Sequence, residues 1–239
     1  MLPASRDRIE RLLNDDDLVL DVGGWAAPLA RADWVIDLLP YETRGLYGEP
    51  DPEAEHFSAE TWVVRDICDR EPWPFGNDQF DLAICSHTLE DVRDPIWVCS
   101  ELSRVARAGY VETPSRLEEQ SLGVAGPFAG WSHHHWLVDP VPGGLEFTFK
   151  PHALHAEPAH HFSAAEGAEL TAEERVVAHF WRDELRARER IHFDEAKLHA
   201  DLAAVVANNR ERLSARARAR TPAPPRSARR WLGGLRAGR

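Results

Sequence analysis

The chain has 239 residues, a hydrophobic content of 43% and a formal net charge of −12. This apolar content is enough for the core of one large domain and excludes a wholly disordered chain. No apolar run approaches the roughly 20 residues needed to cross a bilayer, and the charged N-terminal segment carries no secretory signal pattern. Three cysteines without a CxxC pair favour a reduced, cytoplasmic protein over a disulfide framework.

The charge is distributed unevenly. Residues 1–213 carry a net charge of −20, whereas residues 214–239 contain eight arginines, no acidic residue and a net charge of +8. A body with this much negative charge repels phosphate, so no nucleic-acid partner is expected. The proline- and arginine-rich end predicts a flexible basic tail.

Short apolar segments alternate with helical or loop segments along the first half of the chain. This alternation predicts an α/β fold with a parallel sheet covered on both faces. The predicted strands are 18–22, 34–37, 61–66, 80–85 and 109–113. Amphipathic patterns predict a helix over 5–13, before the first strand, and another over about 95–106, between the fourth and fifth.

The second half of the chain predicts a hairpin and helices. Residues 136–139 and 145–150 flank a Pro/Gly turn, which predicts an antiparallel hairpin that closes one edge of the sheet. A capping-box pattern at Thr171 predicts a helix over 171–190, and Asp194 is expected to cap a second helix to about residue 213. The predicted division is a sheet domain over 1–150, a helical extension over 151–213 that covers or flanks a site, and the tail over 214–239.

Glycine and acidic residues stand at the ends of the first two strands. The carboxyl ends of strands are the edge at which open parallel sheets bind ligands. Asp21, Gly23 and Gly24 end the first strand, and glycine lets a ligand approach the backbone. Asp37 ends the second, where a carboxylate accepts hydrogen bonds from both ribose hydroxyls. The pair predicts a nucleoside site; the alternative is a glycine turn and a solvated aspartate without a ligand.

The third and fourth strands bring further polar residues to the same edge. Asp66 ends the third strand and Ile67 follows it, and at such a place an acid can bind an adenine amino group and an apolar side chain can cover the ring. Ser86 and His87 follow from the fourth strand.

In order and spacing, these blocks resemble a class I S-adenosylmethionine-dependent methyltransferase of the small type 11 group. The matching blocks are 19–24, 37, 66–67, 73–75, 80–82, 89–92, 94–95, 101–105 and 112–114, within about residues 15–115. The resemblance implies a Rossmann-like sheet with S-adenosylmethionine bound across the switch between strands one and four. The implied contacts are Asp21, Gly23 and Gly24 for the methionine moiety and ribose, Asp37 for the ribose hydroxyls, Asp66 and Ile67 for adenine, and Ser86 and His87 for the pocket near the sulfonium.

The sequence departs from the family pattern in the first crossover. Trp25 and Ala26 stand where another glycine usually ends the loop, and only 11 residues, Gly23 to Asp33, separate the first two strands. A crossover helix of one or two turns is expected there, with a tight or reshaped donor site. A second hypothesis is therefore a methyltransferase-like module that binds without turnover. A nicotinamide-dependent oxidoreductase is disfavoured, because its glycine loop opens a long helix.

Histidines are the candidates for the chemical step, because methyl transfer to a hydroxyl requires removal of a proton near neutral pH. His87 is expected beside the methyl group, as a base or as a polar wall of the pocket. His133 and His134 belong to the run 130–136, which is expected over the acceptor. This run has three open roles: a catalytic base, ligands for a divalent metal together with Glu112 or His87, and a plug against the core.

The resemblance implies an enzyme that transfers a methyl group from S-adenosylmethionine to a small molecule. A hydroxyl of a sugar or secondary metabolite is the expected acceptor, from the family's range and from the absence of a basic surface on the body. The acceptor site is expected between His87, the run 130–136 and the C-terminal helices. No metal site is assigned, since no spacing matches a structural zinc site.

Overall fold

In the computed structural model, residues 1–220 are described, and their strands form a six-stranded sheet and a three-stranded sheet. In chain order the elements are α1 (Pro3–Leu12), β1 (Val19–Val22), β2 (Trp34–Asp37), β3 (Trp62–Val64), β4 (Leu82–Ser86), α2 (Pro95–Val105), β5 (Ala108–Pro114), α3 (Arg116–Glu119), β6 (Trp136–Val141), β7 (Gly144–Phe149), α4 (Ala164–Gly167), β8 (Val176–Arg182), β9 (Arg186–Glu189) and α5 (Glu195–Arg220). Short 3-10 turns lie at Tyr41–Thr43 and His152–His155.

The six-stranded sheet has the order β3-β2-β1-β4-β5-β8. Its first five strands are parallel, and β8 is antiparallel to β5. The five predicted strands all form, and their ends differ from the predicted ones by at most two residues. The order reverses between β1 and β4, as in doubly wound sheets. The predicted Rossmann-like parallel sheet is therefore confirmed.

Both faces of this sheet are covered. Leu20 faces the main core, which includes Val98 of α2, whereas its neighbour Val19 faces a second core that includes Ile9 of α1. Successive strand residues point to opposite faces, so a strand buried on both sides is a continuous apolar run. Asp94 caps α2 by accepting a hydrogen bond from a first-turn backbone N–H. The two predicted helices before and within the sheet region are thus present and cover opposite faces.

The predicted hairpin forms, but in a different place. β6 and β7 pair antiparallel, and β9 adds to β7 in parallel to complete the separate three-stranded sheet. The edge of the main sheet is closed by β8 instead. The prediction of an antiparallel hairpin is confirmed, whereas its place at the edge of the main sheet is wrong.

The predicted helix over 171–190 is also wrong. Thr171 and Glu174 do make the two reciprocal hydrogen bonds of a capping box, at 2.9 and 3.2 Å, but β8 and β9 follow instead of a helix. β-branched and aromatic residues favour a strand where a free sheet edge is available, and all seven residues of β8 pair with β5. Val177 and Trp181 of β8 are buried in the main core.

The last helix begins where predicted and ends later. Oδ1 of Asp194 accepts a hydrogen bond from the backbone N–H of Ala196 at 2.9 Å, and α5 then continues to Arg220. Residues 214–220, expected in the flexible tail, are therefore helical, and 221–239 lie outside the described residues. The extension over 151–213 is only partly helical, because β8 and β9 lie within it; the division at 150 and 213 stays a prediction.

Two further expectations bear on the setting of the protein. No helix within residues 1–220 has both the length and the apolarity needed to span a membrane. The three cysteines, Cys68, Cys85 and Cys99, are buried free thiols.

Candidate functional site

The carboxyl ends of β1 to β4 meet along one edge of the main sheet. Asp37, the last residue of β2, is in register with the last residue of β3, Val64. Gly23 follows β1 directly, and Ser86 ends the neighbouring β4. Asp66 lies two residues beyond β3. The strand order and the parallel register therefore bring the residues predicted to contact S-adenosylmethionine to a single edge of the sheet.

Asp37 is buried at this edge and already holds two backbone groups. Its Oδ2 accepts a hydrogen bond from the N–H of Trp25 at 3.0 Å, and its Oδ1 accepts one from the N–H of Leu39 at 2.8 Å. Burial raises the pKa of Asp37 above its ordinary value. A carboxylate has about four acceptor positions, so two remain for further donors such as ribose hydroxyls.

Asp21 is buried beside it and holds the same loop from the other end. Its Oδ2 accepts a hydrogen bond from the N–H of Leu29 at 2.8 Å. Burial, with the nearby charge of Asp37, raises the pKa of Asp21 to about 7. A Cβ atom on Gly24 would lie 2.5 Å from Asp21 Oδ2, so this glycine is required by the aspartate itself.

The first crossover, residues 23–33, contains turns and no helix, so the predicted short helix is wrong. With 11 residues the loop folds back directly and is tied to the sheet by the two aspartates. Gly23 has a φ of +75°, and a Cβ atom there would overlap the side chain of Thr88. The indole N–H of Trp25 donates to Thr43 Oγ1 at 3.0 Å, and the ring packs against the second core.

Asp66 and Ile67 differ in exposure. Oδ1 of Asp66 accepts a hydrogen bond from the N–H of Cys68 at 2.9 Å, and its Oδ2 accepts one from Arg93 at 2.5 Å. Burial acts to raise the pKa of Asp66, but these two hydrogen bonds outweigh it and lower the value. Ile67 is buried in the main core. Asp66 is therefore an ionised acid at the edge, and Ile67 packs beneath it.

His87 lies between two buried carboxylates. Its Nε2 is 3.0 Å from Glu112 Oε1 and its Nδ1 is 3.5 Å from Glu90 Oε1. Burial lowers the pKa of His87, but the carboxylates outweigh it and raise the value to about 9. The pKa of Glu112 falls to about 2 despite burial, because His87, the N–H of Leu2 and the hydroxyl of Tyr110 donate to it. At neutral pH His87 is an imidazolium and cannot accept a proton.

His134 pairs with a carboxylate that sequence reasoning missed. Its Nδ1 lies 2.7 Å from Oε1 of Glu119, which is fully buried in α3. The other oxygen of Glu119 accepts a hydrogen bond from Lys150 Nζ at 2.5 Å. α5 supports this short helix, since Gln120 Nε2 donates to the carbonyl of Leu202 at 3.0 Å. The imidazole is thus oriented by a buried ion pair.

His133 and His134 face a second carboxylate, that of Asp91. Oδ1 of Asp91 lies 4.0 Å from Nε2 of His133 and 3.8 Å from Nε2 of His134. The backbone N–H of His135 donates to the carbonyl of Glu90 at 2.7 Å, which fixes the run 130–136 to the loop after β4. Glu112 and His87, the metal partners considered from the sequence, pair with each other instead.

No local signal identifies Glu119 as the partner of His134. It stands in a four-residue helix and precedes the histidine by 15 residues across an irregular loop. Asp91 was within reach of sequence reasoning, because it follows the predicted site residue His87 by only four positions.

No protein-family model and no curated protein matches the chain. Among solved structures the chain is similar to an S-adenosylmethionine-dependent methyltransferase from Mesorhizobium loti, at 16% identity over 62% of this chain and 64% of that one, with a TM-score of 0.36. It is also similar to an S-adenosylmethionine-dependent methyltransferase from Aquifex aeolicus, at 16% identity over 48% of this chain and 65% of that one, with a TM-score of 0.31. The chain spans under two thirds of the length of either structure. The fold assignment rests on the strand order and register described above.

Proposed function

We propose that the chain is an S-adenosylmethionine-dependent methyltransferase that acts on a small-molecule acceptor. The observation that carries this proposal is the placement of Asp37: a buried carboxylate at the end of β2, on the edge where the order of the parallel strands reverses. The blocks that resemble a class I methyltransferase run along the same edge.

The residues present fit the donor. Asp37 keeps two acceptor positions for the ribose hydroxyls, and Asp66 supplies a half-exposed carboxylate, paired with Arg93, for the adenine amino group. His87, Glu90 and Glu112 lie together at the end of β4, where Glu112 also pairs with the N-terminal amino group of Met1 at 3.2 Å. When bound, the donor would supply an electrophilic methyl group, and the sequence resemblance implies that His87 lines the pocket near it.

The acceptor site is proposed beside the run 130–136, which is tied to the loop after β4. A hydroxyl of a sugar or secondary metabolite remains the proposed acceptor. His87 is charged, so its role is to hold the carboxylates rather than to act as a base. His134 is better placed for the proton, because Glu119 at its Nδ1 leaves Nε2 free to accept one. His133, whose side chain is 62% exposed, is the second candidate in the same cluster.

A non-catalytic binding module is the second candidate. It is favoured because the first crossover lies close against the edge of the sheet where the donor is proposed to bind. Both oxygens of Asp37 already accept backbone hydrogen bonds there, and Thr88 packs over Gly23. Detection of S-adenosylhomocysteine after incubation with S-adenosylmethionine and any acceptor would exclude this candidate.

Isothermal titration calorimetry with S-adenosylmethionine and S-adenosylhomocysteine tests the proposal. The full chain should bind both, and Asp37→Ala should weaken binding at least tenfold, because the ribose loses its charged acceptor. The matched control is Asp51→Ala, an exposed aspartate in the loop between β2 and β3, which should bind as the natural chain does.

Asp37→Asn is a second variant, since it keeps one oxygen for the backbone and removes the charge. If neither S-adenosylmethionine nor S-adenosylhomocysteine bound the natural chain at millimolar concentration, the result would contradict the proposal. Undiminished binding by Asp37→Ala would do the same.

A further inference from the structure

We propose that Asp91, His133 and His134 bind one divalent transition-metal ion of the zinc class and leave one coordination position open. One carboxylate oxygen and two imidazole nitrogens of these residues lie within 4.8 Å of one another. This donor set is typical of zinc, iron(II) and cobalt(II) sites, and three protein ligands with an open position are typical of catalytic rather than structural zinc.

The distances from Asp91 Oδ1 to the two histidine nitrogens fit an ion bound between these atoms better than direct hydrogen bonds between them. Asp91 Oδ1 is 4.0 Å from His133 Nε2 and 3.8 Å from His134 Nε2, and both distances are too long for hydrogen bonds. Ligand bonds of about 2.0–2.1 Å in a tetrahedral site place the donor atoms roughly 3.4 Å apart. An ion therefore requires the two separations from Asp91 to shorten by about 0.6 and 0.4 Å, which the exposed side chain of His133 allows.

His134 has a carboxylate partner on its other ring nitrogen, as histidines that bind metals usually have. Nδ1 lies 2.7 Å from Glu119 Oε1, and the tautomer that donates from Nδ1 to this carboxylate leaves the lone pair of Nε2 directed toward Asp91. Lys150 donates to the other oxygen of Glu119 at 2.5 Å and to the carbonyl of Trp131 at 2.8 Å. These contacts fix the position of Glu119 and, through it, the orientation of the His134 ring.

The surrounding residues hold this geometry on one side and leave the other open. The ring of Trp131 stacks on His134, with centroids 5.8 Å apart and an interplanar angle of 29°. Asp91 and His133 are exposed, whereas His134 is buried. The open coordination position therefore faces solvent, where a small molecule can reach it.

The use of the ion in catalysis rests on the proposed function, whereas its binding does not. A hydroxyl oxygen in the open position would have a lowered pKa and would lose its proton to solvent before methyl transfer. His134 would then be a metal ligand and not the base. The bound ion, by lowering the pKa of the acceptor hydroxyl, would replace the base.

Titration of the full chain with CoCl₂, without donor or acceptor, tests metal binding directly. The natural chain should develop visible d–d absorption that saturates at one cobalt per chain and is reversed by ZnCl₂. His133→Asn and His134→Asn should each weaken cobalt binding at least tenfold, and Glu119→Gln should weaken it about 10–100-fold. The matched control is His152→Asn, an exposed histidine outside the cluster, which should bind cobalt unchanged.

His133→Asn keeps the test decisive if the variants of buried His134 or Glu119 fail to fold. Cobalt binding by His133→Asn as tight as that of the natural chain would overturn the inference, and so would absence of any spectral change in the natural chain. Donor binding is measured separately by calorimetry and should be unchanged in His133→Asn. A failed metal site and a failed donor site therefore give different results.

Discussion

Nε2 of His87 lies 3.0 Å from Oε1 of Glu112 where β4 and β5 end side by side, with Ser86 in register with Glu112. The pair couples a histidine whose pKa is raised to about 9 to a glutamate whose pKa is lowered to about 2. Over the range between these values both groups are charged. His87, predicted from the sequence as a candidate base, is therefore a cation held in place. This favours its alternative predicted role as a polar wall of the donor pocket.

This pairing predicts a pH-dependent stability. The pKa of His87 is higher in the folded chain than in the unfolded one, so its stabilisation is complete below about pH 6.5 and is lost as the pH rises through about 9. The melting temperature should therefore fall over this window. His87→Asn should show a shallower fall, because asparagine accepts the φ of +56° but carries no charge. Circular dichroism melts at several pH values check this, and equal slopes for the two proteins would contradict it.

Asp21 predicts the pH dependence of donor binding. Its pKa is raised to about 7, so it is largely protonated at about pH 6 and ionised at about pH 8. A positively charged donor favours the ionised form, so the affinity for S-adenosylmethionine should rise over this range and binding near pH 6 should release a proton. Calorimetry in two buffers of different ionisation enthalpy measures that proton. Asp21→Asn should release none, and proton uptake by the natural chain would refute the prediction.

The conformation of Gly130 and its contact with Glu119 predict that a larger residue at this position destabilises the fold. Its φ is +63°, and a Cβ atom there would lie 2.5 Å from Glu119 Oε2. Gly126 has a φ of +72° with nothing within 4 Å, so Gly126→Ala is a control for backbone strain alone. We expect about 1 kcal/mol of destabilisation in the control and roughly 1–3 kcal/mol more in Gly130→Ala. Urea denaturation measures both, and equal losses would show that the approach to Glu119 is unimportant.

Trp181 tests the packing of β8. Its side chain lies in the main core with 7% exposure, whereas the side chain of Phe193 is 94% exposed. Trp181→Ala should lower the free energy of unfolding by about 3–5 kcal/mol, and Phe193→Ala should change it by less than about 0.5 kcal/mol. Chemical denaturation of the two variants provides the comparison. Similar values for both would mean that β8 does not pack against β5 as described.

The parts of the fold that the sequence predicts are those set by local burial. β1 and β4 are apolar on both faces, so their residues alone identify them as buried strands. β8 is different, because the spacing of Val177 and Trp181 fits one face of a helix and the capping box at Thr171 is real. The free edge of β5, more than 60 residues earlier, decides the outcome, and no local pattern contains that information.

The candidate site divides in the same way. Asp37 follows a strand directly, so its place at the carboxyl edge follows once that strand is identified. The partner of His134 depends instead on how an irregular loop folds over α3, and Glu119 has no sequence feature that marks it. Ile67 follows its strand as well, yet whether it covers a ligand or packs in the core depends on neighbours such as Trp73, whose indole donates to its carbonyl.

A doubly wound fold normally has a helix in the first crossover. Here the crossover is a loop held by hydrogen bonds to two aspartates. The peptide N–H groups of Trp25 and Leu29 donate to Asp37 and Asp21, the same carboxylates that are proposed to meet the donor. Filling the proposed donor site should therefore alter the hydrogen bonds that already hold this loop in place. A ligand that draws on either aspartate changes the protection of two backbone amides nearby, so hydrogen exchange at Trp25 and Leu29 reports occupancy of the site from within the chain.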